Sequence, residues 1–368
     1  MIALTVLLVS LFTVLGITPL VRHLGLKFKL VDNPNERKIH RQPIVRVGGI
    51  AICLGTTAAA AVAWHLSENI LPATEMVAAI TILLGGVCFF AIGLADDVLN
   101  LHPLSRLALQ GAVITIAWVL GLRIEFLPIP FVGVVSIGLL SLPITFLWMA
   151  GVANAINWLD GMDGLAAGVS TVGALVFAVV SLQASHPGIA LVAIALAGAT
   201  FGFLRYNANP ARIFMGDGGS YFIGFILAGV GAAGLMGEVD FSSQAMPYIV
   251  LAVPILDMIF VILSRLLDQT SPFFPDQRHL HHRLLKLGAS RQTTVWMIYG
   301  LMVWSGAGAI MLPFTPLGWL SVLITFITLG STNPYLWKQI VQLMTRPFLL
   351  RRLIIQPSNP TAQDGLSD

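Results

Sequence analysis

Charge is what this sequence has least of. Only 10% of its 368 residues are Asp, Glu, Lys or Arg, while 57% are apolar and the mean hydropathy is +0.87. Soluble domains carry about 25% charged residues. So sparse a charged surface excludes a water-solvated globular enzyme, and it excludes a nucleic-acid binder, which needs a dense basic face. Cysteine is nearly absent. Cys53 and Cys88 lie in separate apolar runs without a partner motif, which excludes a disulfide framework or a cysteine metal site and predicts two buried packing residues. No basic stretch precedes the first 21 residues and no clear small-residue cleavage site follows them, so they are expected to form a transmembrane helix rather than a removed signal. A soluble domain, a low-complexity segment and an internal repeat are also lacking.

What is there is a series of long apolar runs. A spanning helix needs roughly 20 apolar residues. Eleven candidates fall near 1–21, 47–65, 76–95, 106–122, 131–150, 164–183, 188–204, 219–237, 245–264, 294–312 and 316–332. Two of them, 106–122 and 316–332, are short, so the count is ten or eleven. The expected fold is an all-α polytopic membrane protein, with one transmembrane catalytic domain over 1–332 and a tail over 333–368.

An odd number of spans groups loops 22–46, 96–105, 151–163, 205–218 and 265–293 with the tail on one side. That side, with the adjoining helix ends, holds every one of the 20 Lys and Arg except Arg123. The positive-inside rule makes it cytoplasmic and puts the N-terminus outside. The expected location is the inner or plasma membrane.

The polar clusters fall on that same side, in its loops and helix ends, with Asp257 inside the ninth run. Asp96-Asp97 closes the third run; NAINWLDGMDG carries Asn154, Asn157, Asp160 and Asp163; FMGDGGS carries Asp217; PILDM carries Asp257. Ionisable residues at membrane depth are costly and suggest function. Mg²⁺ takes oxygen ligands, typically one or two carboxylates plus substrate phosphates. Glycine-rich turns such as Gly216–Ser220 let backbone N–H groups approach an anion. Carboxylates from several loops beside such a turn suggest phosphoryl transfer. Basic groups complete the set. The run VDNPNERKIHRQPIVRVGGI holds Arg37, Lys38, His40, Arg41, Arg46 and Gly48-Gly49, and PDQRHLHHRLLKLG holds Arg278, His279, His281, His282 and Arg283. Such cations can neutralise a diphosphate or an anionic headgroup.

Singly, each cluster has a plainer reading. Asp96-Asp97 fits a solvated helix end, Asp160 and Asp163 a turn and an N-cap, Gly48-Gly49 helix packing, and Asp257 a pairing with a neighbouring helix. The basic loops fit a purely topological role. HLHH without cysteine is a poor zinc site. All these plain readings would have to hold together, on one face of a charge-poor chain.

The ordered set VDNPNERKIHRQPIVRVGGI, GLADDVLNLHPLSRLALQ, NAINWLDGMDGLAAG, NANPARIFMGDGGSYFIGF, PILDM and SPFFPDQRHLHHRLLKLG resembles the polyprenyl-phosphate N-acetylhexosamine-1-phosphate transferases, over about residues 31 to 288. The resemblance implies that Asp96, Asp97, Asp160 and Asp163 serve catalysis and that Asp217 and Asp97 serve Mg²⁺, with Mn²⁺ as a substitute. It assigns Asn157, Arg106, Arg46, Gly48, Gly49, Arg265, His279, His281, His282 and Arg283 to substrates. Many relatives have lysine where this chain has Arg106. His-Leu-His-His-Arg and Asn100 are similar to the WecA and TagO branch rather than to MraY, which favours a UDP-N-acetylhexosamine donor over the UDP-muramoyl-pentapeptide. The implied acceptor is polyprenyl (undecaprenyl) phosphate, met among membrane lipids by an enzyme that works as a homodimer with its site on the cytoplasmic face. The competing class is a lipid-phosphate flippase or transporter. That class predicts a charged site at the bilayer midplane and detectable repeats.

Overall fold

The computed structural model describes residues 1–32, 43–67, 71–234, 240–271, 277–315 and 317–332. Arg37, Lys38, His40, Arg41 and the tail from 333 lie outside the described residues. Among the described residues, the chain forms helices α1 (Ile2–Lys27), α2 (Gly49–Ser67), α3 (Ala73–Leu99), α4 (Pro103–Val119), α5 (Ser141–Leu159), α6 (Leu165–Gln183) and α7 (Pro187–Asn207). They are followed by α8 (Gly216–Ala233), α9 (Phe241–Val250), α10 (Ala252–Leu267), α11 (Leu280–Lys286), α12 (Arg291–Met311) and α13 (Leu317–Ser331). Two antiparallel hairpins interrupt the helices, β1 (Val31–Asp32) with β2 (Ile44–Val45) and β3 (Phe126–Ile129) with β4 (Gly133–Ser136).

Helices dominate because a chain in hydrocarbon must satisfy its own backbone hydrogen bonds. Seven are long and apolar enough to cross a membrane, or eight if the bent pair α9–α10 counts as one span; α4 and α13 are apolar but shorter. The protein is a polytopic membrane protein. Its outer faces carry large exposed apolar side chains such as Phe12, Leu84, Trp296 and Phe326, a surface suited to lipid rather than water.

Helix α8 is the axis of the bundle. Every residue from Gly218 to Ala233 is buried, with α2, α3, α5, α6 and α7 packed around it. The N-terminal end of α8 meets the C-terminal ends of α3 and α5. That end of the bundle therefore gathers the motif residues.

Three sequence expectations are corrected. The run 131–150 is not one span: residues 126–136 form the β3–β4 hairpin and the helix starts at Ser141. Glycine and proline between Pro128 and Gly138 break the helical pattern there. As a result α5 extends to Leu159, and Asn154 and Asn157 lie on its last turns rather than in a loop. The run 245–264 is broken at Leu251 by a 69° bend. Pro254 lacks an N–H for the carbonyl of Val250, so one helical hydrogen bond is missing at the bend. Lastly, Cys53 is buried as expected, but Cys88 is exposed.

Candidate active site

Asp96 and Asp97 sit on the last turn of α3 and face different partners. Asp96 helps to end its own helix: its backbone carbonyl accepts from Asn100 N at 2.9 Å, and its Oδ1 accepts from Leu101 N at 2.9 Å. Asn100 is left-handed there (φ 51°), a conformation asparagine tolerates, so its identity has a local structural reason. The other Asp96 oxygen pairs with Arg106, at the start of α4. Asp97 Oδ1 accepts from Arg46 at 2.7 Å (Nη2) and 3.1 Å (Nε), and its Oδ2 accepts from Gly218 N at 3.1 Å. Both oxygens of Asp97 are thus held.

The turn into α8 fits closely under this pair. Gly216 has φ +71°, and a Cβ there would fall 2.0 Å from the Arg46 carbonyl oxygen and 2.5 Å from Asp97 Oδ2. Gly48 N and Gly49 N donate to the carbonyls of Phe214 and Met215, at 2.9 and 2.8 Å. A Cβ on Gly49 would lie 2.3 Å from Gly219 N. These two glycines, expected to touch substrate, instead seat the turn of α8; their N–H groups are already occupied.

Asp217 opens α8, and its Oδ1 accepts from Asn157 Nδ2 at 2.7 Å; the same amide donates to Ser220 Oγ at 2.9 Å. Asn157 therefore orients Asp217 across the α5–α8 contact. Asp160 follows the end of α5. Its backbone N–H donates to the Asn157 carbonyl at 3.2 Å, but its carboxylate makes no hydrogen bond or ion pair with the described residues, and burial, then the charges of Asp217, Asp97 and Asp163, push its pKa well above the usual range. Asp163 is engaged otherwise: its Oδ2 accepts from Ala211 N at 3.0 Å and anchors the loop. Two residues to which the sequence reading gave no role complete that anchor. Buried Asn207 accepts from Gly164 N at 3.1 Å and donates to the carbonyl of Ile213 at 3.0 Å, and Tyr299 donates to the carbonyl of Gly164 at 2.6 Å. Asn207 is the first residue of the run NANPARIFMGDGGSYFIGF, an amide at the end of an apolar stretch.

The histidine segment closes the site from the other side. Asp257, buried on α10, accepts from Leu280 N at 2.7 Å and from Arg283 Nη2 at 3.1 Å, and it bonds His279 Nδ1 at 3.0 Å. Arg283 also reaches Thr332 Oγ1 at 3.1 Å. It is only 5% exposed, so the expected substrate contact is corrected: Asp257 draws this guanidinium inward to balance its buried charge. Arg265 is likewise buried, over the Trp158 ring at 5.1 Å. The rings of Trp158, His279, His281 and His282 form a continuous row. His281 packs on Gly161, where a Cβ would lie 2.6 Å from its Nε2. Burial, with His282 and His279 nearby, pushes its pKa down to about 3.

The arrangement brings Asp97, Asp160, Asp217, Asn157, Arg46 and Arg106 together at one end of the bundle, with the histidine row beside them. Comparison with known proteins adds to this geometry. A profile of glycosyl transferase family 4 matches residues 79–234. A probable undecaprenyl-phosphate N-acetylglucosaminyl 1-phosphate transferase of Bacillus subtilis is 37% identical over 321 residues, 87% of each chain. The chain belongs to glycosyl transferase family 4. Another relative of the family is a decaprenyl-phosphate N-acetylglucosaminephosphotransferase of Mycolicibacterium smegmatis, 36% identical over 79% of this chain and 78% of its own. A third is an undecaprenyl-phosphate alpha-N-acetylglucosaminyl 1-phosphate transferase of Yersinia pestis, 28% identical over 86% of this chain and 87% of its own. The family profile ends at residue 234, so Asp257 and the histidine row lie beyond it, though the two parts meet in space.

A divalent cation fits the donor set in one respect. Among the described residues no group of three or more His, Cys, Asp or Glu is gathered for a metal. Asp160, however, is a crowded carboxylate without a cationic partner, and Asp217 has one oxygen bonded to Asn157. Two carboxylates with room for substrate phosphates suit Mg²⁺.

Proposed function

We propose that the chain transfers N-acetylglucosamine-1-phosphate from UDP-N-acetylglucosamine to a polyprenyl phosphate such as undecaprenyl phosphate, releasing UMP. The observation that carries this reading is the meeting of Asp97, Asp160 and Asp217 with Arg46 and Arg106 at one end of an apolar bundle. There a water-soluble donor and a lipid acceptor can meet. The site end faces the cytoplasm, because the basic residues collect on it.

Asp217 and Asp160 are the residues that would hold Mg²⁺ or Mn²⁺, Asp160 in place of the expected Asp97, whose oxygens are held by Arg46 and Gly218 N, and the chemistry supplied there would be neutralisation of the donor diphosphate. The acceptor phosphate oxygen attacks the sugar-linked phosphorus. A new P–O bond forms, and the P–O bond to the oxygen retained by UMP breaks. No residue needs to remove a proton first, since a phosphate monoester has a second pKa of about 6. Asp97 is a poor nucleophile, because Arg46 and Gly218 N hold both its oxygens. Direct attack therefore fits better than a phospho-enzyme. Asp96 and Asp97 act by placing Arg106 and Arg46 beside the reacting phosphates. Asn157 orients Asp217, and Asp257 fixes His279 so that its second nitrogen is turned to the donor.

The test is UMP release by purified protein with Mg²⁺, undecaprenyl phosphate and, in parallel, UDP-GlcNAc, UDP-GalNAc and UDP-MurNAc-pentapeptide. Acceptor-dependent release with UDP-GlcNAc alone is expected. Asp217→Asn should reduce it by about a hundredfold or more, the scale of losing one electrostatic stabiliser in a dry site. Release with the pentapeptide donor alone would move the chain to the MraY type. A labelled, denaturation-stable protein formed without acceptor would overturn direct attack.

A further inference from the structure

Behind the aspartates, one helical turn further into the bundle, lies a closed ring of polar groups in otherwise apolar surroundings. Asp96 pairs with Arg106, and Gln110 follows one turn along α4. Gln110 Oε1 accepts from Asn154 Nδ2 on α5 at 3.1 Å, and Asn157 follows Asn154 by three residues. Asn157 bonds Asp217 and Ser220, and Tyr221 follows Asp217 by one turn of α8. The Arg106 guanidinium, 5.7 Å from the centre of the Tyr221 ring, closes the circle. Residues three and four apart share one helix face, so α4, α5 and α8 present this ring to one another, with Asp96 of α3 at its edge.

Two atoms of the ring are buried without a partner among the described residues: Gln110 Nε2 and the Tyr221 hydroxyl. Gln110 is 1% exposed and Tyr221 0%. The orientation of the glutamine amide follows from a backbone group. Asn154 Nδ2 also donates to the Ala150 carbonyl at 2.8 Å, so the Gln110 atom facing it must be the oxygen, and the NH₂ is left free. Buried polar groups in a low-dielectric interior are normally satisfied. Two orphaned donors beside a guanidinium call for an acceptor-rich anion.

We infer that Gln110, Tyr221 and Arg106 form the binding subsite for the phosphate group of the lipid acceptor, with Asn154 positioning Gln110. The inference rests on the transferase reading. The shared chemistry, a phosphate, has two sources, the donor diphosphate and the acceptor monoester. The acceptor is the one assigned, because Gln110 and Tyr221 lie on the apolar side of the aspartates, from which a membrane-dissolved substrate arrives. The donor approaches over the histidine row. Arg106 bridges the two regions and is held by Asp96 at the mouth.

The experiment is equilibrium binding of undecaprenyl phosphate, undecaprenol and UDP-GlcNAc to the full chain in detergent, for wild type, Tyr221→Phe and Gln110→Met. Each variant is expected to weaken undecaprenyl phosphate binding about tenfold, the effect of losing one hydrogen bond to a charged group. Undecaprenol and UDP-GlcNAc affinities should not change. Melting temperature should stay level or rise in Tyr221→Phe, since an unpaired buried hydroxyl is removed, whereas a merely structural hydroxyl would lower it. Tyr248→Phe, at a partly buried ring against Trp148 away from the ring of polar groups, should change nothing. Unchanged undecaprenyl phosphate affinity in both variants would overturn the subsite, and so would weakened UDP-GlcNAc binding. Binding needs no turnover, so wild-type UMP release judges the transferase reading separately.

Discussion

Single residues here often serve two ends, and one glycine carries two constraints at once. Gly216 needs both a left-handed backbone and the space that a Cβ would take from Arg46 and Asp97. Gly216→Ala should therefore cost about 1–2 kcal/mol for the conformation alone, plus the clash, and should abolish most transfer by displacing Asp97. The check is a melting curve beside UMP release. His281 makes a second residue-level prediction. Its folded pKa of about 3 lies below the unfolded value of about 6.5, so the unfolded chain binds the extra proton. The stability contributed by the neutral ring is fully present above pH 6.5 and is lost as pH falls towards the folded value. By pH 5 the loss is about 2 kcal/mol. Unfolding followed between pH 7.5 and 5 should show this slope, and His281→Gln should flatten it.

At the scale of elements, the histidine segment is held by α10 rather than by its own sequence. Helix α11 is only seven residues long, too short to be stable alone. Asp257 binds its first N–H, its preceding histidine and its arginine at once. The break at Leu251 separates α10 from the line of α9 and so sets where Asp257 lies. Asp257→Ala should cost about 3–5 kcal/mol, because it leaves Arg283 buried and unpaired. Adding Arg283→Met should restore most of that stability, since an apolar replacement of both partners is nearly neutral. Transfer should stay low in the double variant, because His279 has lost its tether. Recovered activity with recovered stability would show that Asp257 acts through folding alone.

For the whole molecule, the arrangement requires opposite ends of the bundle to face opposite compartments. The reaction end carries Arg46, Arg106 and the histidine row; the other carries the exposed Arg123–Glu125 pair and the Phe131 tip of the β3–β4 hairpin. In a background with Cys53 and Cys88 replaced, Phe131→Cys should react with an impermeant thiol reagent on intact cells. Lys286→Cys should react only after permeabilisation. The reverse pattern would invert the assigned sidedness.

Composition and order determined much of this. Charge scarcity and the length of apolar runs gave a helical membrane protein, because hydrocarbon admits few other backbones. The sequence order of the acidic and histidine motifs gave the family. Local signals failed where partners are distant in the chain. Nothing near Arg283 reveals that Asp257 turns it inward, and nothing near Gly48 reveals that its N–H is bonded to Phe214. The proline and glycine of 126–138 were legible in principle, but the apolar composition of that run masked them. Which carboxylates are paired with a cation, which are not, and which polar atoms are left without partners depended on packing around α8. Those properties belong to pairs of residues brought together from different helices, so only the tertiary structure decided them.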